Sequence, residues 1–315
     1  PGLYPDQIRA YDSVRRNGDL SVRVSMCLAG WGFGDPAQEA TVQQRVDYTG
    51  VATGAGDDWL RFDTVKFMPD GGVGDRTALM FEPYEGEPDN YGQFVVSERD
   101  LFNNVAWCHD RGWSIDSHAC GDRMMEMAVR AYAASYDRRP DQKIRHRVHH
   151  AYLPTETALQ LMREYRIPAL ATIPFLTNLG ESFVTSLGES RAARMLPLRT
   201  YLDAGVPLAL ASDAPVTTHN PFVGIYSAVT RKTVYGRELG PDERISREEA
   251  IRLYTSDAAW VTFEDGIKGS ITPGKVADLA VLDRDLLLVP EEEITEVTSA
   301  MTVIDGRIVY DTLDR

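Results

Sequence analysis

The sequence predicts an α/β protein built from parallel βαβ units, and three observations predict it. Short β-branched or apolar runs alternate again and again with segments of helical periodicity. Polar and ionisable residues fall at the ends of those runs, where parallel α/β folds carry their chemistry. From Gly269 onward the texture changes to strand-like runs, VADLAVLD and AMTVIDGRIVYD, separated by Pro-Gly and Asp-Gly turns, which predicts a small β appendage. The alternation admits either a doubly wound sheet or a (β/α)8 barrel.

The elements follow in order. Ile8, Tyr11 and Val14 share a helical face over Asp6–Asn17, with Pro5 and Asp6 as start signals and Gly18 as the stop. SVRVSMCL (21–28) has β character, and FDTVKFM (62–68) is an apolar strand that breaks off at Pro-Asp-Gly-Gly. Ser97 opens a helix bearing Leu101, Val105 and Cys108. Trp113–Ala119 is the next strand, running through Cys120-Gly121-Asp122 into a helix with Met125, Ala128, Val129 and Tyr132 on one side. The strand Arg145–Tyr152 precedes a helix with Ala158, Leu161, Met162 and Tyr165. Ile167–Ile173 leads through an irregular stretch to a helix near 195–204, and Val206–Ala211 ends in Ser212-Asp213. Ser246 and Glu249 form a capping box for a helix reaching Ala259.

Composition narrows the function classes. The 315 residues are 43% hydrophobic and 25% charged, ordinary for a globular chain. Thirty-three Lys plus Arg against 47 Asp plus Glu give a net charge of -14, which repels nucleic-acid backbones and anionic lipid. Neither nucleic acid nor membrane is an expected partner, and no apolar run approaches the roughly 20 residues of a spanning helix. Three cysteines (Cys27, Cys108, Cys120) make no disulfide framework and no CxxC knuckle, so a reducing, cytoplasmic setting is expected.

Lys66 lies near the end of an apolar strand, where a buried charge is costly unless paired, modified or bound to metal. His118 ends the next strand in DSHACGD. In RHRVHHAY strict alternation puts His146, Val148 and His150 on one face and His149 on the other, so only one face can look into a barrel. Asp213 follows the apolar PLALAS, and its alternative role is an N-cap. Singly each has an ordinary structural explanation; together they terminate strands of successive βα units and converge at one mouth. Imidazole and carboxylate suit zinc and related divalent metals, and a metal-activated water beside a carboxylate is a hydrolytic device. No GxSxG, GxxxxGK[ST], strand-following GxGxxG or HExxH competes, and the glycine-rich GVGDRT (72–77) lacks the helix that a phosphate loop needs.

At these residues the chain resembles the amidohydrolase superfamily, and within it the amidohydrolase family 3 or YtcJ-like branch, which includes N-substituted formamide deformylases. The resemblance rests on VKFMPDGGVGDRTALMFEPY (65–84), HACGDR (118–123), RHRVHHA (145–151), LASDAPV (210–216), AVTRKT (228–233), EEAIRLYTSDAA (248–259), GSITPGKVADLAVLDRD (269–285) and VIDGRIVYD (303–311). It implies a (β/α)8 TIM-like barrel of the metal-dependent hydrolase type over residues 1–265, with strands three to eight present. The C-terminal part of a small β-sandwich would follow over 266–315.

By the same resemblance Lys66 is the strand-four lysine, able to bridge two metals when carboxylated. His118 and His150 are the strand-five and strand-six ligands, and Asp213 is the strand-eight ligand and catalytic base. Arg76, His149 and His219 are expected substrate contacts, with His149 standing where the family has Glu and Tyr152 where Gln is common. The implied cofactor is one or two divalent ions, zinc foremost, with iron or manganese as alternatives. The implied reaction is hydrolysis of a non-peptide C–N bond in a small amide, formamide or cyclic amide.

The family's HxH is absent from the sequence, so the first two barrel strands and half the sandwich are expected to be missing, about 200 residues by βα repeat size. That absence motivates a rival reading, a catalytically incompetent remnant or binding protein, and a homodimer that covers exposed strand edges. A third reading keeps the barrel and changes the bond to a phosphoester or a ring amine.

Overall fold

The computed structural model describes residues 2–31 and 39–313, and within them six parallel strands lie side by side in chain order. They are β1 (Val24–Trp31), β2 (Leu60–Phe67), β3 (Ser114–Ala119), β4 (Arg147–His150), β5 (Ala169–Ala171) and β6 (Leu208–Leu210). A doubly wound sheet reverses its strand order at a switch point, and this sheet does not. Among the described residues no ladder joins β6 back to β1, so no barrel closure is seen. The segment beyond β6 nevertheless returns to the first strand, where Ser25 Oγ donates to Glu264 at 3.1 Å.

Helices fill the crossovers: α1 (Pro5–Arg16), α2 (Glu39–Asp47), α3 (Glu98–Asp110), α4 (Asp122–Arg138), α5 (Glu156–Glu164), α6 (Pro174–Leu187), α7 (Glu189–Ala193), α8 (Leu198–Asp203), α9 (Pro221–Thr230), α10 (Arg247–Tyr254) and α11 (Ser256–Val261). Ser97, Thr155 and Ser246 cap α3, α5 and α10 by accepting from the backbone N–H at N3. On α4, Met125, Ala128, Val129 and Tyr132 are buried, as their spacing predicts. All six residues of β3 are buried, as in a strand covered on both faces. No helix among the described residues is long and apolar enough to cross a membrane.

Several boundaries differ from the sequence expectations. The stretch expected to be irregular holds α6, fourteen residues long. Pro174 sits in its first turn, where a missing N–H costs nothing. Gly180 is there because a Cβ would lie 2.6 Å from Thr233 Cγ2. The helix expected to run to Ala259 is two, broken at Thr255 (φ -121°, ψ -91°). β4 is shorter than the strand expected over Arg145–Tyr152. Its would-be first residues turn their N–H groups to side chains, Arg145 to Ser114 Oγ and His146 to Tyr136 Oη, and His150 and Ala151 end it at positive φ.

The appendage is a three-stranded antiparallel sheet, β7 (Leu279–Leu282), β8 (Ser299–Ile304) and β9 (Arg307–Asp311). Arg23 ties it to the start of β1, donating to Asp278 at 2.6 Å and to Asp305 at 3.1 Å.

His146 does not share a face with His150, because it precedes the regular strand and packs outward against α3 and α4. Ile115 N–H donates to His146 Nδ1 at 3.1 Å, so His146 carries its proton on Nε2. That proton goes to His109 Nδ1 at 2.8 Å, and His109 Nε2–H goes to the Arg139 carbonyl at 2.9 Å. Every ring nitrogen is used, and only with both rings neutral. Burial depresses the affinity of both for a further proton, and the neighbouring His109 ring lowers that of His146 further.

The unfolded chain protonates both near pH 6.5 and the folded chain does not, so their contribution is present above about pH 6.5 and is lost as pH falls below it. Asp70, which burial raises to about 7, works in the opposite sense. We therefore expect the drop in urea midpoint between pH 7 and pH 5 to be smaller in His146→Gln than in wild type. Equal drops would show that the pair does not sense acid.

Candidate functional site

A row of charges crosses the sheet below the site. Lys66, Asp116 and Arg147 are register neighbours on β2, β3 and β4 and share one face. Asp116 accepts from Lys66 Nζ at 2.7 Å on one oxygen and from Arg147 Nε at 2.6 Å on the other. Arg147 Nη2 reaches Asp63 at 2.8 Å. Asp63 can point there because the β1–β2 register skips it, a bulge that re-aims its side chain. All four residues are buried, and two cations face two anions. Burial opposes the Asp116 charge, but Lys66 and Arg147 outweigh it and hold the carboxyl well below the usual range.

One row further along the strands, His118 stands opposite His149, and His150 follows. His118 Nε2 donates to the Gly71 carbonyl at 2.9 Å. A carbonyl only accepts, so the neutral ring presents a lone pair on Nδ1, which lies 2.9 Å from His150 Nε2. His150 Nδ1 is 3.2 Å from Thr172 Oγ1, and a hydroxyl can donate or accept. His150 can therefore give its Nε2–H to His118, or place its proton on Nδ1 and present a second inward lone pair. Burial, with the Lys66 charge next, lowers His118 to about 3; burial and the facing His118 ring push His150 well below the usual histidine range. Both rings are neutral at pH 7.

The third member of the cluster is Cys120, whose sulfur and the two imidazoles have ligand atoms all within 4.8 Å of one another, all three residues buried. These residues fit a divalent metal by a test internal to the chain: each outer ring nitrogen has a protein hydrogen-bond partner, and the inner nitrogens converge.

The loop after β2 fixes this geometry. The fully buried Asp70 accepts from the backbone N–H of Leu79 (3.1 Å), Cys120 (3.3 Å) and Gly121 (2.9 Å), stapling the β2 and β3 exits together. Gly121 is required because a Cβ there would meet Leu79 O at 1.9 Å.

Other residues singled out from the sequence fall as follows. Lys66 points toward the site, but its ammonium is taken by Asp116. Asp213 lies beyond β6 at φ 55°, half-buried, and its charge raises the proton affinity of Cys120, His149 and Tyr152, so it stands within electrostatic reach. His149 is on the inner face with His118, 3.4 Å from Asp116 through Nδ1, and its buried Nε2 has no partner. Both His149 and His150 thus reach the site, because the positive φ of His150 (73°) breaks the alternation that would set them apart. Arg76 pairs with Glu87 and donates to the Thr185 carbonyl at 3.1 Å, bracing the loop against α6. His219 is exposed in the loop before α9.

Asp63, Asp116, Arg147, Asp70 and Cys120 were not singled out from the sequence. A usable signal was spacing: Asp116, His118 and Cys120 are two apart, as are Arg147 and His149.

A family model described as "Amidohydrolase family" matches residues 1–310. YtcJ of Bacillus subtilis (strain 168), an amidohydrolase by name, is 30% identical over 265 residues, 80% of this chain and 48% of its own length. The N-substituted formamide deformylase of Arthrobacter pascens is 30% identical over 229 residues, 72% of this chain and 42% of its own length. The chain thus spans a little under half the length of these curated relatives. An uncharacterised metal-dependent hydrolase from Pyrococcus horikoshii superposes with a TM-score of 0.79 at 23% identity, covering 92% of this chain and 56% of that one, which establishes a shared fold.

The charge row carries an energetic expectation. Asp116→Asn leaves Lys66 and Arg147 short of a buried counter-charge and should cost about 3–5 kcal/mol in chemical denaturation. A loss below about 1 kcal/mol, the scale of an exposed pair, would mean the row is solvated.

Proposed function

The chain belongs to the amidohydrolase family, and on that premise we propose that it is a metal-dependent hydrolase of C–N bonds other than peptide bonds, acting on an amide, formamide or cyclic amide. The observation that carries the reading is the pair of inward-facing nitrogens, His118 Nδ1 and His150 Nε2, each backed by a hydrogen-bond partner on its outer nitrogen. Zinc suits imidazole donors in a buried site, with iron or manganese as alternatives.

A bound divalent ion would supply a Lewis acid for the carbonyl and acidify a water. The chain's residues do the rest. His118 and His150 hold the ion and stay neutral because burial and the Lys66 ammonium oppose their protonation. Asp213, at the mouth of β6, accepts the proton of the attacking water and delivers it to the leaving nitrogen. Carboxylation would set an anion on Lys66 against Asp116, so we read Lys66 as a free ammonium and the centre as holding one ion.

His149 is the substrate contact the geometry favours. The ionised Asp116 can only accept, so it orients the Nδ1–H of His149 and leaves the buried Nε2 lone pair to receive a substrate N–H. Arg76 and His219 would act from the loops around the mouth. The formamide deformylase relative points to N-formyl amines as the first substrates to try.

The test is a panel of N-formyl amines and cyclic amides beside an aryl phosphotriester, assayed with wild type and Asp213→Asn. We expect turnover of the amides alone, and a loss of about 10²–10⁴-fold in kcat for Asp213→Asn with metal still bound. Full turnover by Asp213→Asn would remove Asp213 as the base, and turnover of the phosphotriester alone would overturn the assigned bond.

A further inference from the structure

We infer that Cys120 is a third metal ligand, binding through its sulfur beside His118 Nδ1 and His150 Nε2, and that the centre therefore selects a thiophilic divalent ion such as zinc or cobalt over manganese or magnesium. The inference rests on the reading that a metal sits at His118 and His150, and it deepens that reading by naming the donor set.

Geometry carries it. The sulfur and the two nitrogens lie within 4.8 Å of one another, near enough that an ion at about 2.0–2.3 Å from each donor would draw them in to roughly 3.5 Å apart. The Cys120 backbone has little freedom to move the sulfur elsewhere. Its N–H is held by Asp70, the next residue's N–H is held by the same carboxylate, and Gly121 is wedged against the Leu79 carbonyl. Behind the neighbouring imidazole, Thr172 Oγ1 lies 3.2 Å from His150 Nδ1 and the Tyr152 ring packs on His150 with centroids 5.4 Å apart, so the ring that flanks the sulfur is held in place.

The other two cysteines have no such setting. Cys108 is packed in the apolar core, and Cys27 meets Thr64 Oγ1 at 3.1 Å and Arg147 Nη2 at 3.7 Å. Thiolate and imidazole donors together favour zinc-like ions, whereas manganese and magnesium prefer oxygen. The step balances without a redox partner: a sulfur–metal bond forms, the S–H bond breaks, and one proton leaves to solvent.

The full chain, stripped with chelator, is titrated anaerobically with cobalt(II). Visible d–d bands report occupancy, and a near-ultraviolet sulfur-to-cobalt charge-transfer band reports a thiolate ligand. We expect both in wild type and in the Cys27→Ala/Cys108→Ala variant, which keeps Cys120 as its one cysteine. Cys120→Ser should keep the visible bands, lose the charge-transfer band and bind zinc at least about tenfold more weakly. If Cys120→Ser fails to fold, the double variant still decides the question.

Visible bands without the charge-transfer band would overturn the sulfur ligand while leaving a metal on the histidines. No visible bands at all would overturn the metal reading as well. Manganese displacing cobalt at equal concentration would overturn the selectivity.

Discussion

The ion-pair row of Asp63, Arg147, Asp116 and Lys66 is the constraint on which the rest of the site depends. Four charges removed from water are tolerable only when each meets its partner, and these partners sit on three different strands. The row therefore pins the mutual register of β2, β3 and β4. A slip of one residue would turn every side chain to the opposite face and strand the charges in the apolar layer. With the register pinned, His118 comes level with His149 and Ala119 with His150.

Two features convert that register into a centre able to bind a ligand. Positive φ at His150 swings its ring back toward His118, so two consecutive histidines serve the same site from a strand that would otherwise separate them. Asp70 gathers backbone N–H groups from two loops and sets the Gly71 carbonyl where it fixes the tautomer of His118. The lone pairs that face inward are thus dictated by the groups behind them. Lys66 contributes at a distance, its ammonium disfavouring a second charge on His118, and Asp116 keeps that ammonium in place.

Much of this was legible in the sequence. His118 and His150 stand at the ends of expected strands of successive βα units, and it is their recurrence with Lys66 and Asp213 at that position, not any one of them alone, that pointed to a site. Lys66 was legible as a buried charge, though not its partner, since Asp116 in SIDSHA and Arg147 in RHRVHH gain their meaning only once strand register sets them beside each other. His146 was misplaced because alternation assumes a strand that extends to it, whereas the N–H groups of Arg145 and His146 donate to the Ser114 and Tyr136 hydroxyls and β4 begins only at Arg147. α6 was hidden by Pro174 and Gly180, both breakers in isolation, one harmless in a first turn and the other required by close packing on Thr233. Cys120 looked like part of a turn, and only the folded loop brings its sulfur to the two rings.

The central claim is that this chain's own residues make a metal centre. It is tested most directly by elemental analysis of protein purified without chelator, comparing wild type with the His118→Ala/His150→Ala variant. The account predicts about one equivalent of divalent transition metal, zinc foremost, per wild-type chain and essentially none in the variant. A metal-free wild-type chain, or equal metal in both proteins, would contradict it.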